Sequence, residues 1–106
     1  MGYMRHHAIV VTGWSEKDIV KVHQKACEIF KGISSITEIT PEAVNGYRSF
    51  LIAPDGSNEW RDTSNAGDDA RDDFIGWILR HISINCDFAE VQFADENYDN
   101  KLLRSS

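Results

Sequence analysis

The sequence predicts one α+β domain: an antiparallel sheet with two helices packed on one of its faces. Three observations carry this expectation. The chain has 106 residues, within the usual size of one domain, about 100–150 residues. Its hydrophobic and charged fractions, 42% and 26%, are those of a globular protein. Segments rich in β-branched residues alternate with two stretches whose apolar residues recur at helical spacing.

Residues 5–13, Arg-His-His-Ala-Ile-Val-Val-Thr-Gly, read as a first strand, apolar on both faces and therefore central in its sheet. Ser15 opens a helix to about Lys31, with Asp18 three residues on as a relative of the capping box and Gly32 as its stop. Ile19, Val22, Ala26, Ile29 and Phe30 form its apolar stripe. Residues 34–40 read as an edge strand, because Pro41 follows directly and is tolerated only at an edge. Asn45-Gly46 is a turn pair, Tyr47–Ala53 the next strand, and Pro54-Asp55-Gly56 a turn. Residues 56–68 are expected to be an irregular loop holding Trp60.

A second helix is expected from about Asp68 to Ile82, with Ala70, Phe74, Trp77, Ile78 and Ile82 inward. Asp68, Asp69, Asp72 and Asp73 would sit in its first turns, where the helix dipole favours carboxylates. Residues 88–94 alternate as a strand, and Lys101–Arg104 add a short fifth. The order strand, helix, strand, strand, helix, strand is the ferredoxin-like βαββαβ pattern, with the first and third strands central and both helices on one face. The expected domain spans residues 1–106, with residues 1–4 either disordered or an added scar.

One sheet face then lacks a helix. Period-two alternation is expected to turn Phe50, Ile52, Val91 and Phe93 toward the helices. Tyr47, Ser49, Leu51, Phe88, Glu90 and Gln92 would then lie on the open face. The first strand adds either His6, Ala8 and Val10 or His7, Ile9 and Val11. A half-apolar face of several hundred Å² is the mark of an interface.

Charge is uneven. Residues 1–54 carry a net +1, residues 55–99 a net −9 and residues 100–106 a net +2, within a total of −6. Such a chain lacks the basic patch that a nucleic-acid backbone requires. No apolar run reaches the roughly 20 residues of a membrane span, and the N-terminus has no signal-peptide core. The two cysteines, Cys27 and Cys86, stand in no metal or redox spacing, so reduced thiols and a cytoplasmic location are expected.

No set of residues reads as catalytic. Phosphate loops and nucleophile elbows are absent. His6 and His7 are strand neighbours that point to opposite faces. His23 and Cys27 share a helix face, but two ligands make no zinc site. His81 and His23 read as histidines packed at helix boundaries. The acidic set lacks a calcium-loop pattern. No metal and no cofactor are expected.

The functional expectation is a small acidic, non-enzymatic binding or inhibitory protein. It would act through its open sheet face and the Trp60 loop, in the manner of proteins that phages or mobile elements direct against a host nucleoprotein. Trp60 and Arg61 would be the anchors, since both types are enriched at interface hot spots. Asp62, Asp68 and Asp69 would steer a basic partner, and Tyr47 and Leu51 would lie on the contacting face. The partner is a protein with a basic surface or a second copy in a homodimer, not nucleic acid or a membrane. The alternative is a small-ligand binder or enzyme with a pocket near Tyr47, Arg48 and one of His6 and His7.

Overall fold

The computed structural model describes residues 5–54, 62–81, 83–94 and 101–106. Residues 1–4, Trp60 and Arg61 lie outside them. Along the chain come β1 (Arg5–Gly13), α1 (Glu16–Ile29), β2 (Arg48–Ile52), α2 (Asp62–Arg80), β3 (Cys86–Ala94) and β4 (Lys101–Ser105). The architecture is α+β, a four-stranded sheet in the order β2-β1-β3-β4 with two helices. Every strand pairing is antiparallel.

β1 is central, as its two-sided apolarity implies. Ile9 pairs with Ile52 and Glu90, and Val11 with Phe50 and Phe88. Apart from Glu90, these inward positions meet Ile19, Val22 and Ala26 of α1 and Ala70, Phe74 and Ile78 of α2 in one buried cluster. Both helices therefore share one face of the sheet.

The strand expected at residues 34–40 is reduced to an isolated bridge between Ile36 and Ile52. The segment still runs beside β2, with Thr37 N–H bonding Leu51 O (3.0 Å) and Thr40 N–H bonding Ser49 O (2.9 Å). Its ladder is interrupted because threonine hydroxyls take the place of carbonyls. Leu51 N–H donates to Thr37 Oγ1 (2.8 Å) and Ser49 N–H to Thr40 Oγ1 (3.0 Å). This is the local competition that Ser and Thr side chains offer to a strand. Asn45 and Gly46 then turn the chain with φ of 63° and 77°, the left-handed region that this residue pair tolerates.

α1 begins where expected, but its capping box does not form. Ser15 makes no side-chain cap bond. The Asp18 carboxylate instead accepts Asn85 N–H at 3.0 Å, tying the helix to the start of β3. α2 starts six residues earlier than its apolar stripe suggests, so half of the expected loop is helix. Asp68, Asp69, Asp72 and Asp73 consequently lie beyond the first turn, where the dipole has little reach. The buried stripe of α2 includes Arg71 and Ile75, while Trp77 is only partly buried.

A close approach fixes one glycine. A Cβ on Gly13 would stand 2.8 Å from Cys86 Sγ and 3.1 Å from Asn85 O, so only glycine lets β1 pass this end of β3. Burial, then Asp18 and Asp87, push the Cys86 thiol from 9.0 up to about 11. The unfolded chain ionises this thiol near its ordinary value, while the folded state keeps the proton longer. Stability is therefore expected to fall by about 2–3 kcal/mol as pH rises from about 9 to about 11. Urea titrations across that range check this, and Cys86→Ala should flatten the slope. A slope unchanged by the substitution would refute it. Exposed Cys27 should meanwhile react with a thiol reagent in the native state, and Cys86 should not.

Candidate functional site

The sheet face away from the helices is built by alternation from His6, Ala8, Val10 and Thr12 of β1. Ser49 and Leu51 of β2 and Ala89, Val91 and Phe93 of β3 join them in register. Tyr47 falls on this face two residues before Ser49. Trp14 stacks against it, with ring centroids 6.1 Å apart. At the diagonally opposite corner His6 stacks on Phe93 at 5.1 Å. Val10 is 41% exposed, Trp14 44%, Phe93 40% and Leu102 59%. Large exposed hydrophobes of this kind are individually ordinary, and their gathering on one face is the informative feature.

Leu51 and Tyr47 lie on this face as anticipated, but β3 is turned over relative to the expectation. Phe88, Glu90 and Gln92 point into the protein and are buried, and Val91 and Phe93 point out. The cause is an ionic cluster that no apolar count reveals. Glu90 is 2% exposed and faces Arg71, itself 5% exposed, across 3.8 Å. Arg104 of β4 grips both oxygens of Glu90, Nε at 2.5 Å and Nη2 at 2.9 Å, and reaches Asp72 with Nη1 at 2.8 Å. Asp68 pairs with Arg71. Hydrogen bonds to Glu90 and Asp72 hold the Arg104 guanidinium above its ordinary pKa, against the opposing effect of burial.

A register shift makes this arrangement compatible with the apolar face. β3 pairs Glu90 with Arg104 but Val91 with Leu102, leaving Leu103 as the extra residue. The bulge re-aims side chains, so that Leu102 joins the open face while Arg104 turns inward to Glu90. Two signals in the sequence could have located the cluster. Arg71 stands on the inner arc of α2 between Ala70 and Phe74, and Glu90 shares a strand face with Phe88.

A cleft of about 390 Å³ opens beside the cluster, lined by His7, Leu103 and the ion-paired residues. His7 is thus separated from the other members of the alternative pocket. Arg48 pairs with Gly13 at one end of β1 and His7 with Gln92 near the other, about 20 Å apart at strand rise. Arg48 lies instead beside Glu16 and Glu42, at 3.8 Å from each. Asp68 and Asp69 are exposed on α2, in the helical layer and away from the open face, and Asp62 begins that helix.

The remaining histidines have structural partners. His23 Nε2 bonds Thr37 O at 2.9 Å, its ring meets Phe50 edge-on, and Cys27 Sγ lies 3.9 Å from Nδ1. His81 Nδ1 bonds Trp77 O at 2.7 Å. Among the described residues no group of three or more His, Cys, Asp or Glu is placed to hold a metal ion, and no helix is long and apolar enough to cross a membrane.

The fold and this site define a class: a small α+β protein with an apolar, aromatic-cornered sheet face opposite a helical layer in which α2 is acidic. Compared with known family models, curated proteins and solved structures, the chain matches none of them.

Proposed function

We propose that this chain is a non-enzymatic protein-binding module whose working surface is the open face of its sheet. The observation that carries the reading is the gathering of Trp14, Tyr47, Val10, Phe93 and Leu102 on the side away from the helices. Aromatic and aliphatic side chains held on a rigid sheet suit an interface core, which is typically poor in charge and rich in Tyr, Trp and Phe. The bridge at Ile36 is consistent with reading residues 34–40 as a residual edge strand outside β2. That reading gives a ferredoxin-like arrangement with β4 added at the opposite edge, and in such an arrangement this face has no helix over it. Trp60 and Arg61 belong to the proposal as a second contact.

The cleft beside His7 favours the small-ligand alternative less. Its arginines and carboxylates already engage one another, and recognition of a small ligand needs convergent polar groups aimed at the ligand.

Site-specific photocrosslinking tests the proposal. A benzophenone side chain is placed at Leu51 on the open face or at Gln24 on the outer face of α1, and cells expressing the chain are irradiated. A discrete adduct from position 51 and none from position 24 is the expected result. Adducts from position 24 alone, or from neither, would overturn the sheet-face reading.

A further inference from the structure

Resting on that reading, we infer that the occupant of the open face is a second copy of this chain, packed sheet against sheet about a two-fold axis.

Charge selects this occupant. The chain carries 17 acidic residues and a net charge of −6. Among the described residues on the open face, only Asp87 is charged. A basic partner would be drawn to the helical layer, where Asp68, Asp69, Asp72 and Asp73 sit on one helix. With Asp87 as its one charged group, the open face offers a basic partner far less counter-charge than the helical layer does. Two copies meeting through that face keep their acidic α2 helices on the outer sides, away from the contact, where salt screens the repulsion.

Area is modest. β1 and β3 are nine residues long and β2 and β4 five. At strand rise and spacing the four strands make a patch of about 440 Å², so two copies would bury about 900 Å². That lies just below the roughly 1,000 Å² of a stable interface, in the range of a weak, transient one. The dimer should therefore dissociate at micromolar concentrations or above.

The face is also complementary to itself. Trp14 with Tyr47 and His6 with Phe93 occupy diagonally opposite corners. A two-fold axis in the plane of the face lays one aromatic corner over the other, with Val10 near the middle. Such isologous contacts close on themselves and do not propagate into fibres.

Light scattering coupled to size exclusion, on wild type from about 1 to 500 μM, tests the inference. The mass should rise from 12.0 kDa to twice that value as concentration increases. Val10→Asp and, at the sheet edge, Leu102→Asp should each weaken the dimer at least tenfold with unchanged circular dichroism. Leu79→Asp, on the exposed side of α2, should leave it intact. Leu102→Asp decides the matter if Val10→Asp fails to fold. A wild type monomeric at every concentration, or a dimer indifferent to both face substitutions, overturns the inference. The photocrosslink separates this outcome from failure of the broader reading: an adduct from Leu51 at a mass other than the dimer's retains the sheet face and rejects the second copy. No adduct at all rejects both.

Discussion

Replacing Glu90 by alanine is expected to cost about 3–5 kcal/mol, the penalty for breaking a buried ion pair from one side. Glu90 and Arg71 are both almost fully buried, and Arg104 holds Glu90 with two bonds. Truncation would leave Arg71 desolvated beside a cavity and release β4 from its strongest attachment to the core side of the sheet. The loss is a large share of the roughly 5–15 kcal/mol that stabilises a domain. Glu90→Gln should cost less, since it keeps the shape and one acceptor. The triple replacement Glu90→Leu, Arg71→Met, Arg104→Leu should recover much of the loss, because desolvation offsets most of the pair's attraction. Urea denaturation of the three proteins measures these differences. A cost below about 1 kcal/mol for Glu90→Ala would mean that the cluster is solvated and that the inward register of β3 is wrong.

Phe74→Ala should be comparably severe, about 3–5 kcal/mol, the range for removing a buried aromatic ring. Phe74 is fully buried and meets Phe30 edge-on with centroids 5.8 Å apart. This contact joins the end of α1 to the middle of α2, so the cavity would lie between two elements that cannot both collapse onto it. Trp77→Ala should cost about 1–2 kcal/mol less than Phe74→Ala, since Trp77 is only partly buried and loss scales with buried contact. Its ring stacks on His81 at 4.4 Å near the end of α2. The ordering of the two is the test. If Trp77→Ala proves the costlier, α2 is rotated from the orientation described.

The candidate surface was partly legible. In β2, Ser49 and Leu51 alternate with the buried Phe50 and Ile52, and the period-two reading, anchored by Ser49 and Tyr47, turned that strand the right way even though Leu51 is apolar. β3 misled the same rule. Ala89, Val91 and Phe93 are the more apolar set, yet they face out, and the set that contains Glu90 faces in. Hydropathy ranks an unpaired glutamate as a surface residue. It has no knowledge of Arg71 and Arg104, which lie 19 and 14 residues away along the chain and supply the pairing that makes burial tolerable. The early start of α2 escaped for a related reason. Asp62-Thr63-Ser64-Asn65 and Gly67 are weak helix formers, and propensity yields to tertiary context.

By itself, the sequence determined the α+β class, both helices, β1, β2 and β3 and the turn at Asn45-Gly46, because these follow from local periodicity and turn chemistry within about a dozen residues. It also anticipated that one sheet face would remain apolar and uncovered. Only the tertiary structure decided which residues of β3 form that face and how Leu102 comes to join it. Those choices rest on where Glu90 finds two guanidinium groups from elements distant in sequence, and on the bulge in β4 that turns Arg104 toward it. The electrostatic cost of burying a charge depends on its partners in space, which no periodicity along the chain encodes.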